Sequence, residues 1–75
     1  MPTPEELQRQ IEASIPGAEA VVIDTTGTQD HFRAEVRSPA FAGLSRIEQH
    51  KMVYDVFGDQ IGGAIHALSL KTETP

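Results

Sequence analysis

The chain has 75 residues, a formal net charge of −5 and no cysteine. A single domain of this length can bury about 60% of the surface that its unfolded chain exposes. The absence of cysteine excludes disulfides and thiolate metal sites made by this chain alone, and the negative charge argues against a main role in gripping phosphate backbones. No apolar run approaches the roughly 20 residues of a membrane span, and the N-terminal sequence MPTPEEL does not resemble a signal peptide. We therefore expect a soluble, cytoplasmic protein.

The first predicted element is a helix that begins after Thr3. The sequence T-P-E-E is typical of a capping box with proline at the first helical position. Leu7, Ile11 and Ile15 follow at four-residue steps and predict one buried helical face. The Pro-Gly dipeptide that comes next ends the helix.

A β-hairpin is predicted after this helix. The β-branched run AEAVVID, residues 18–24, predicts the first strand. The polar loop 25–30 is short enough to make the next strand antiparallel to the first. Residues 31–38 alternate between apolar and polar side chains, which predicts a strand with one buried and one exposed face.

The longest stretch of core-forming sequence runs from Ser45 to Leu70 and predicts a helix, a glycine-containing turn and a strand. Ser45 and the glutamate three residues later form an S-x-x-E capping box. Three- and four-residue steps predict a buried face of the helix, formed by Ile47, His50, Tyr54, Phe57 and Ile61, with Val53 and Val56 beside it. The short apolar run Ala64–Leu70 predicts a buried strand. Before the helix, residues 39–44 predict a short helical turn that places Phe41 and Leu44 in the core.

The element order predicts one α+β domain that spans residues 1–75, with residues 1–3 and 71–75 frayed. A hairpin followed by a helical crossover predicts a three-stranded mixed sheet with the helices packed on one face, and a right-handed crossover if the last strand is parallel to its neighbour. This αββααβ layout is that of type II KH domains, which bind single-stranded nucleic acid through a G-x-x-G loop. The corresponding junction here, Ala42-Gly43-Leu44-Ser45, has one glycine.

Three histidines are candidates for ligand or structural roles. His50 lies on the predicted apolar face of the long helix, as a packed structural histidine would. His31 follows the polar loop on the outward side of its strand, where a solvated side chain is the simpler interpretation. His66 lies in the last apolar strand, near its beginning, where a side chain can emerge at the sheet edge. The pattern alone slightly favours a structural role for His66 over a ligand role.

No arrangement of residues is typical of a catalytic site. Because cysteine is absent, a nucleophile would be serine or threonine, but Ser38, Ser45 and Ser69 fit turn, cap and strand positions, and none lies in a nucleophile elbow. We expect no enzymatic activity. Arg33, Arg37 and Arg46 would supply a small basic patch for nucleic acid, but ordinary surface arginines are the simpler interpretation, and no exposed aromatic platform for bases is apparent.

Three motifs together closely resemble the BolA-like family. They are F-x-G at Phe41, R-I-E-Q-H-K-M-V-Y from Arg46 to Tyr54, and I-H-A-L-S-L from Ile65 to Leu70 before a closing T-x-T-P. The resemblance covers nearly the whole chain and implies a single KH-like domain. We interpret four of the motif residues, Phe41, Gly43, His50 and Tyr54, as structural.

The resemblance implies that the protein is a non-catalytic adaptor that forms a heterodimer with a monothiol glutaredoxin. The two proteins would share a [2Fe-2S] cluster with glutathione, for iron–sulfur trafficking or iron and redox regulation. The family's histidine in the last strand corresponds to His66, and its second ligand position, in or just after the hairpin loop, corresponds to His31. Alone, the protein is expected to carry no cofactor and to be a monomer or weak homodimer. Imidazole in place of thiolate raises a cluster's reduction potential and makes binding sensitive to pH, because protonated imidazole cannot coordinate metal.

Two alternatives stay open. Bacterial members of the family are also associated with transcription regulation, which implies a DNA-binding role for the KH-like surface, with Arg33, Arg37, Arg46 and Lys51 as candidate contacts. The other alternative is a glutaredoxin-binding scaffold without a cluster.

Overall fold

A computed structural model describes residues 3–27, 31–65 and 67–75 of the chain. Its helices and strands follow the order α1 (Pro4–Ser14), β1 (Glu19–Asp24), β2 (His31–Arg37), α2 (Arg46–Phe57) and β3 (Ala67–Glu73), with 3₁₀ turns at Pro39–Phe41 and Gly58–Gln60. The predicted α+β order is confirmed.

The sheet has three strands, with β2 in the centre and β1 and β3 at its edges. β2 pairs antiparallel with β1 and parallel with β3, where His31 lies opposite Ala67 and Arg37 lies opposite Glu73. The predicted hairpin and mixed sheet are therefore confirmed.

The helices cover one face of this sheet and leave the other face open. Buried side chains from both helices and from alternate positions of β1 and β2 form a single core cluster. Its members are Leu7, Ile11, Ile15, Ala20, Val22, Phe32, Ala34, Val36, Phe41, Val53, Phe57 and Ile65. The side chains between them, such as Val21 and Ile23 in β1, are exposed on the open face. This alternation follows the two-residue period of strands.

Polar side chains at the helix starts confirm the predicted caps. The hydroxyl of Thr3 accepts a hydrogen bond from the backbone N–H of Glu6 at 3.2 Å. At the start of α2, Ser45 Oγ accepts from Glu48 N at 3.2 Å, and the Glu48 carboxylate accepts from Ser45 N at 3.0 Å. The prediction that Thr3 frays is wrong, because its side chain supplies the cap of α1.

The predicted buried face of α2 is wrong by about one residue of helix rotation. Val53 and Phe57 are buried, but Ile47 is 81% exposed, and Tyr54 and Ile61 are each 37% exposed. Together with Gln49, the buried residues make a four-residue repeat that faces the core. The sequence pattern did not reveal this face because a polar glutamine begins it. One residue along an α-helix corresponds to about 100° of rotation, which turns Ile47 to solvent.

Gln49 is suited to this inward position because its amide is fully used. Its Nε2 donates to the carbonyl oxygens of Leu44 at 3.0 Å and Phe41 at 3.4 Å. Its Oε1 accepts from Thr72 Oγ1 in β3 at 2.7 Å. One side chain therefore joins α2 to the preceding turn and to the edge strand.

The predicted last strand, Ala64–Leu70, is also wrong in its bounds and burial. Ala64 lies in a turn and β3 extends to Glu73, so three residues that were predicted to fray belong to the strand. Leu68, Leu70 and Thr72 are half-buried, and the residues between them are exposed. The cause is the position of β3 at an edge of the sheet, with one face open to solvent.

Candidate functional site

His31, one of the two predicted metal ligands, begins the central strand. Its backbone oxygen accepts hydrogen bonds from Thr25 N at 3.0 Å and from Thr25 Oγ1 at 3.2 Å, which closes the hairpin at this end. His31 is half-buried, and the alternation of β2 places it on the open face of the sheet, opposite the helices. A residue at this position is accessible to a partner that approaches the open face.

His66, the other predicted ligand, lies outside the described residues. Its successor in the sequence, Ala67, is the first residue of β3 and pairs directly with His31 of β2. The parallel register therefore brings His31 opposite the start of the strand that His66 precedes.

The chain is firmly anchored on both sides of position 66. Ile65 is fully buried. Its N–H donates to Gln60 O at 2.8 Å, and its carbonyl accepts from Gly62 N at 2.8 Å. After position 66, Leu68 O accepts a hydrogen bond from the Tyr54 hydroxyl at 3.2 Å. Gly62 has φ of 86°, a conformation that side-chain-bearing residues rarely adopt, so the turn before Ile65 requires glycine.

Across residues 3–27, 31–65 and 67–75, no three histidine, aspartate or glutamate side chains come together as a group that could hold a metal ion. This part of the chain therefore does not supply three side-chain ligands for one metal ion. A complete iron site would require ligands in addition to those of the described residues.

The sequence pattern predicted that His50 packs in the core, but the structure places it elsewhere. It is half-buried on the flank of α2, where it lines a groove of about 300 Å³ between this helix and β3. The other residues of this α2–β3 groove are Arg46, Leu70, Lys71 and Thr72.

The remaining motif residues have clear structural positions. Phe41 is fully buried in the core. Gly43 has φ of 79° in the turn before α2, which favours glycine over any other residue. The Tyr54 hydroxyl of α2 donates a hydrogen bond to the carbonyl of Leu68 in β3 and so joins the helix to the strand.

The four basic residues predicted to contact DNA lie in two different layers. Arg33 and Arg37 lie on the open face of the sheet, where Arg33 pairs with Glu35 at 3.5 Å and Arg37 with Glu73 at 3.7 Å. Arg46 and Lys51 lie on α2, on the other side of the sheet.

Acidic neighbours reduce the positive potential of Lys51 as well. It lines a shallow surface groove of about 340 Å³ together with Glu48 and Asp55. The structure therefore does not bring the four predicted contacts into one basic patch.

The residue that sequence reasoning missed is Gln49. Its signal was its four-residue spacing from Val53 and Phe57, which a search for apolar residues alone passes over. None of the helices in the described ranges is both long and apolar enough to cross a membrane.

Comparison with known proteins identifies close relatives. The family described as "BolA-like protein" matches residues 7–75. The Rickettsia prowazekii protein RP812 is 35% identical over 68 residues, which cover 91% of this chain and 88% of that protein. Human BolA-like protein 1 is 39% identical over 49 residues, which cover 65% of this chain but only 36% of the human protein.

Solved structures agree with these matches. A bolA protein homologue from Coxiella burnetii superposes with a TM-score of 0.77 at 39% identity, covering 100% of this chain and 94% of that one. The BolA domain of SufE1 from Arabidopsis thaliana superposes with a TM-score of 0.82 at 28% identity, covering 96% of this chain and 91% of that one.

Proposed function

Because the chain belongs to the BolA-like family, we propose that it is a non-catalytic adaptor that binds a monothiol glutaredoxin and co-ligates a [2Fe-2S] cluster through histidine. The cluster would be cargo for iron–sulfur trafficking or a signal of iron and redox state. The observation that carries this proposal is the pairing of His31 with Ala67, the residue after His66. His31 and Ala67, the residue that follows His66 in the sequence, lie at the same end of the β2–β3 pair.

The donors of this chain suit a shared cluster better than a complete site. The described residues contain no group of three metal-ligating side chains, and the sequence contains no cysteine. His31 and His66 would therefore contribute at most two neutral nitrogens, and the sulfur ligands would come from the glutaredoxin and its glutathione. Imidazole ligands of this kind are known to replace cysteine on one iron of Rieske clusters.

The surroundings of position 66 also support a ligand at this place. A binding side chain is positioned more precisely when the residues around it are held by packing and hydrogen bonds. Ile65 is buried and hydrogen-bonded through both its N–H and its carbonyl, and the carbonyl of Leu68 is held by Tyr54.

The proposal is tested by titrating this protein into a cluster-loaded, glutathione-bound monothiol glutaredoxin while visible absorption and circular dichroism are recorded. We expect a new spectrum that saturates at one-to-one, is lost in His66→Ala, and is retained in the matched control His50→Ala. Association without any spectral change would indicate that the protein binds glutaredoxin as a scaffold and does not ligate the cluster. The absence of association would contradict the proposal altogether.

The alternative of a DNA-binding regulator has weaker support from the geometry. Each of Arg33 and Arg37 is paired with a glutamate, and such pairing lowers the positive potential that attracts phosphates. A dependence of duplex DNA affinity on Arg33 and Arg37 would favour this alternative.

A further inference from the structure

The backbone of β1 has hydrogen-bonding groups on two sides, and only one of these sides faces β2. Just beyond the strand, Thr25 N donates to His31 O, so the hairpin register assigns the odd-numbered residues of β1 to bonds with β2. The even-numbered residues, Ala20 and Val22 among them, therefore point their N–H and carbonyl groups outward. In the described part of the chain, β1 is an edge of the sheet, so these groups lie where a further strand would pair.

A side chain of α1 occupies one of these outward groups. Glu12 Oε2 accepts a hydrogen bond from Ala20 N at 3.3 Å. The Glu12 side chain is otherwise exposed, so its carboxylate lies at the surface beside the strand edge. It takes the N–H that an added strand would need and places a negative charge at the same point, which are two ways of preventing edge pairing.

The opposite edge of the sheet is covered in the same manner. Ser38 N donates to Glu73 O, so the odd-numbered residues of β3 face β2 and the carbonyl of Leu68 points outward. The Tyr54 hydroxyl of α2 donates to this carbonyl at 3.2 Å. Each helix therefore covers the edge of one strand with a polar side chain, and Glu12 performs this role for β1.

The edge of β1 is suited to pairing with another chain once it is uncovered. Val21 and Ile23 lie on the open face and are 58% and 48% exposed. Among the described strand residues, they are the only large apolar side chains that are exposed. The open-face residues Ser69 and Lys71 of β3 are polar. Exposed β-branched residues on an edge strand favour association with a second strand.

The sequence of β1 is complementary to itself in the antiparallel orientation. When two copies pair with Val22 on the two-fold axis, Val21 of each copy lies opposite Ile23 of the other. Both apolar pairs then lie on the open face, where directly opposite β-branched side chains contact each other. A patch that fits a second copy of itself is what a two-fold dimer requires.

We infer that the β1 edge is a self-association surface for a second copy of this chain, and that Glu12 keeps this surface blocked. In the dimer, the Ala20 N–H of each copy leaves Glu12 and pairs with the backbone of the other copy. The blocked edge keeps the unchanged protein monomeric. This inference concerns the edge of β1 alone and does not depend on the proposed function or on a cluster.

The test compares sedimentation equilibrium of the unchanged protein and of Glu12→Ala over the same concentration range. A two-fold dimer must break the bond between Glu12 and Ala20 in both copies. We therefore expect Glu12→Ala to raise the dimer association constant about thirtyfold, which corresponds to about 2 kcal/mol, or one net hydrogen bond per copy. An unchanged association constant would overturn the inference.

Two variants test whether the effect belongs to this edge. Glu6→Ala removes the same charge from an exposed position in the first turn of α1 and should leave the protein monomeric. Glu12→Ala/Val21→Lys places a charge on the uncovered edge and should return the variant to a monomer. An equal rise in Glu6→Ala, or a dimer that persists with Val21→Lys, would contradict the assignment. Growth into larger oligomers would indicate pairing of β1 with β3 of the next copy and would overturn the two-fold dimer.

Amide hydrogen exchange tests the cap in the unchanged protein and needs no variant to fold. The Ala20 N–H is held by Glu12 and should exchange more slowly than the outward N–H of Val22. Equal or faster exchange at Ala20 would show that Glu12 does not cover the edge. Far-UV circular dichroism checks that each variant retains the fold.

Discussion

Removing the amide of Gln49 should destabilise the fold far more than a typical surface change. The side chain makes hydrogen bonds of 3.0 and 3.4 Å to the turn before α2 and one of 2.7 Å to Thr72 in β3. The two shorter bonds have good geometry, and each contributes about 1 kcal/mol net. We therefore expect Gln49→Ala to lower the free energy of unfolding by about 2 kcal/mol. For a domain of this size, the melting temperature should fall by roughly 10 °C.

Urea denaturation followed by far-UV circular dichroism measures this loss directly. The control is Gln10→Ala in α1, whose side chain makes no hydrogen bond with the rest of the described chain. A double-mutant cycle of Gln49→Ala with Thr72→Val should give a coupling of about 1 kcal/mol, because the two side chains share the 2.7 Å bond. A loss below about 0.5 kcal/mol for Gln49→Ala, or independent effects of the two changes, would refute the reasoning.

Three further predictions concern the core, a buried hydroxyl and a helix cap. Ile47→Ser should change the free energy of unfolding by less than about 0.5 kcal/mol, whereas Val53→Ala should lower it by about 2 kcal/mol. The reverse order in urea denaturation would show that the buried face of α2 is the one predicted from the sequence, with Ile47 in the core. Ser38→Ala should cost about 1–3 kcal/mol in the same assay, because the buried Oγ donates to a carbonyl at 2.6 Å and accepts an N–H at 3.0 Å. The hydrogen bond from the Ser45 backbone lowers the pKa of Glu48, so the ionised Glu48 carboxylate should stabilise the fold at neutral pH, and this stabilisation should vanish as pH falls below that pKa. The melting temperatures of Glu48→Gln and of the unchanged protein should therefore converge in acid. A difference that stays constant with pH would contradict this prediction.

Local signals in the sequence were sufficient for the caps, the hairpin and the central strand. Ser45 and Glu48 bind each other's backbone amides in the predicted box, and the alternation of β2 gives its buried and exposed faces directly. These features depend on residues that are close in the chain. The caps, the hairpin and the central strand can therefore be predicted from neighbouring residues in the sequence.

The rotation of α2 and the edge position of β3 depend on contacts between distant residues. Gln49 and Thr72 are separated by a whole helix and a turn, so no local pattern reveals that they share a hydrogen bond. The same limit applies to the candidate sites. Pairing of Arg37 with Glu73 arises only once β3 lies beside β2, and the α2–β3 groove is lined by residues of two elements that are distant in the sequence.

The most direct test of the central proposal is pulsed electron paramagnetic resonance of the reduced cluster in the complex with glutaredoxin, with ¹⁵N-histidine incorporated only into this chain. If histidines of this chain bind iron, the nitrogen coupling must change from the ¹⁴N to the ¹⁵N pattern on labelling, must weaken in His66→Ala and must be lost in the double variant His31→Ala/His66→Ala. Nitrogen coupling that is absent, or unchanged by labelling this chain, would contradict histidine co-ligation.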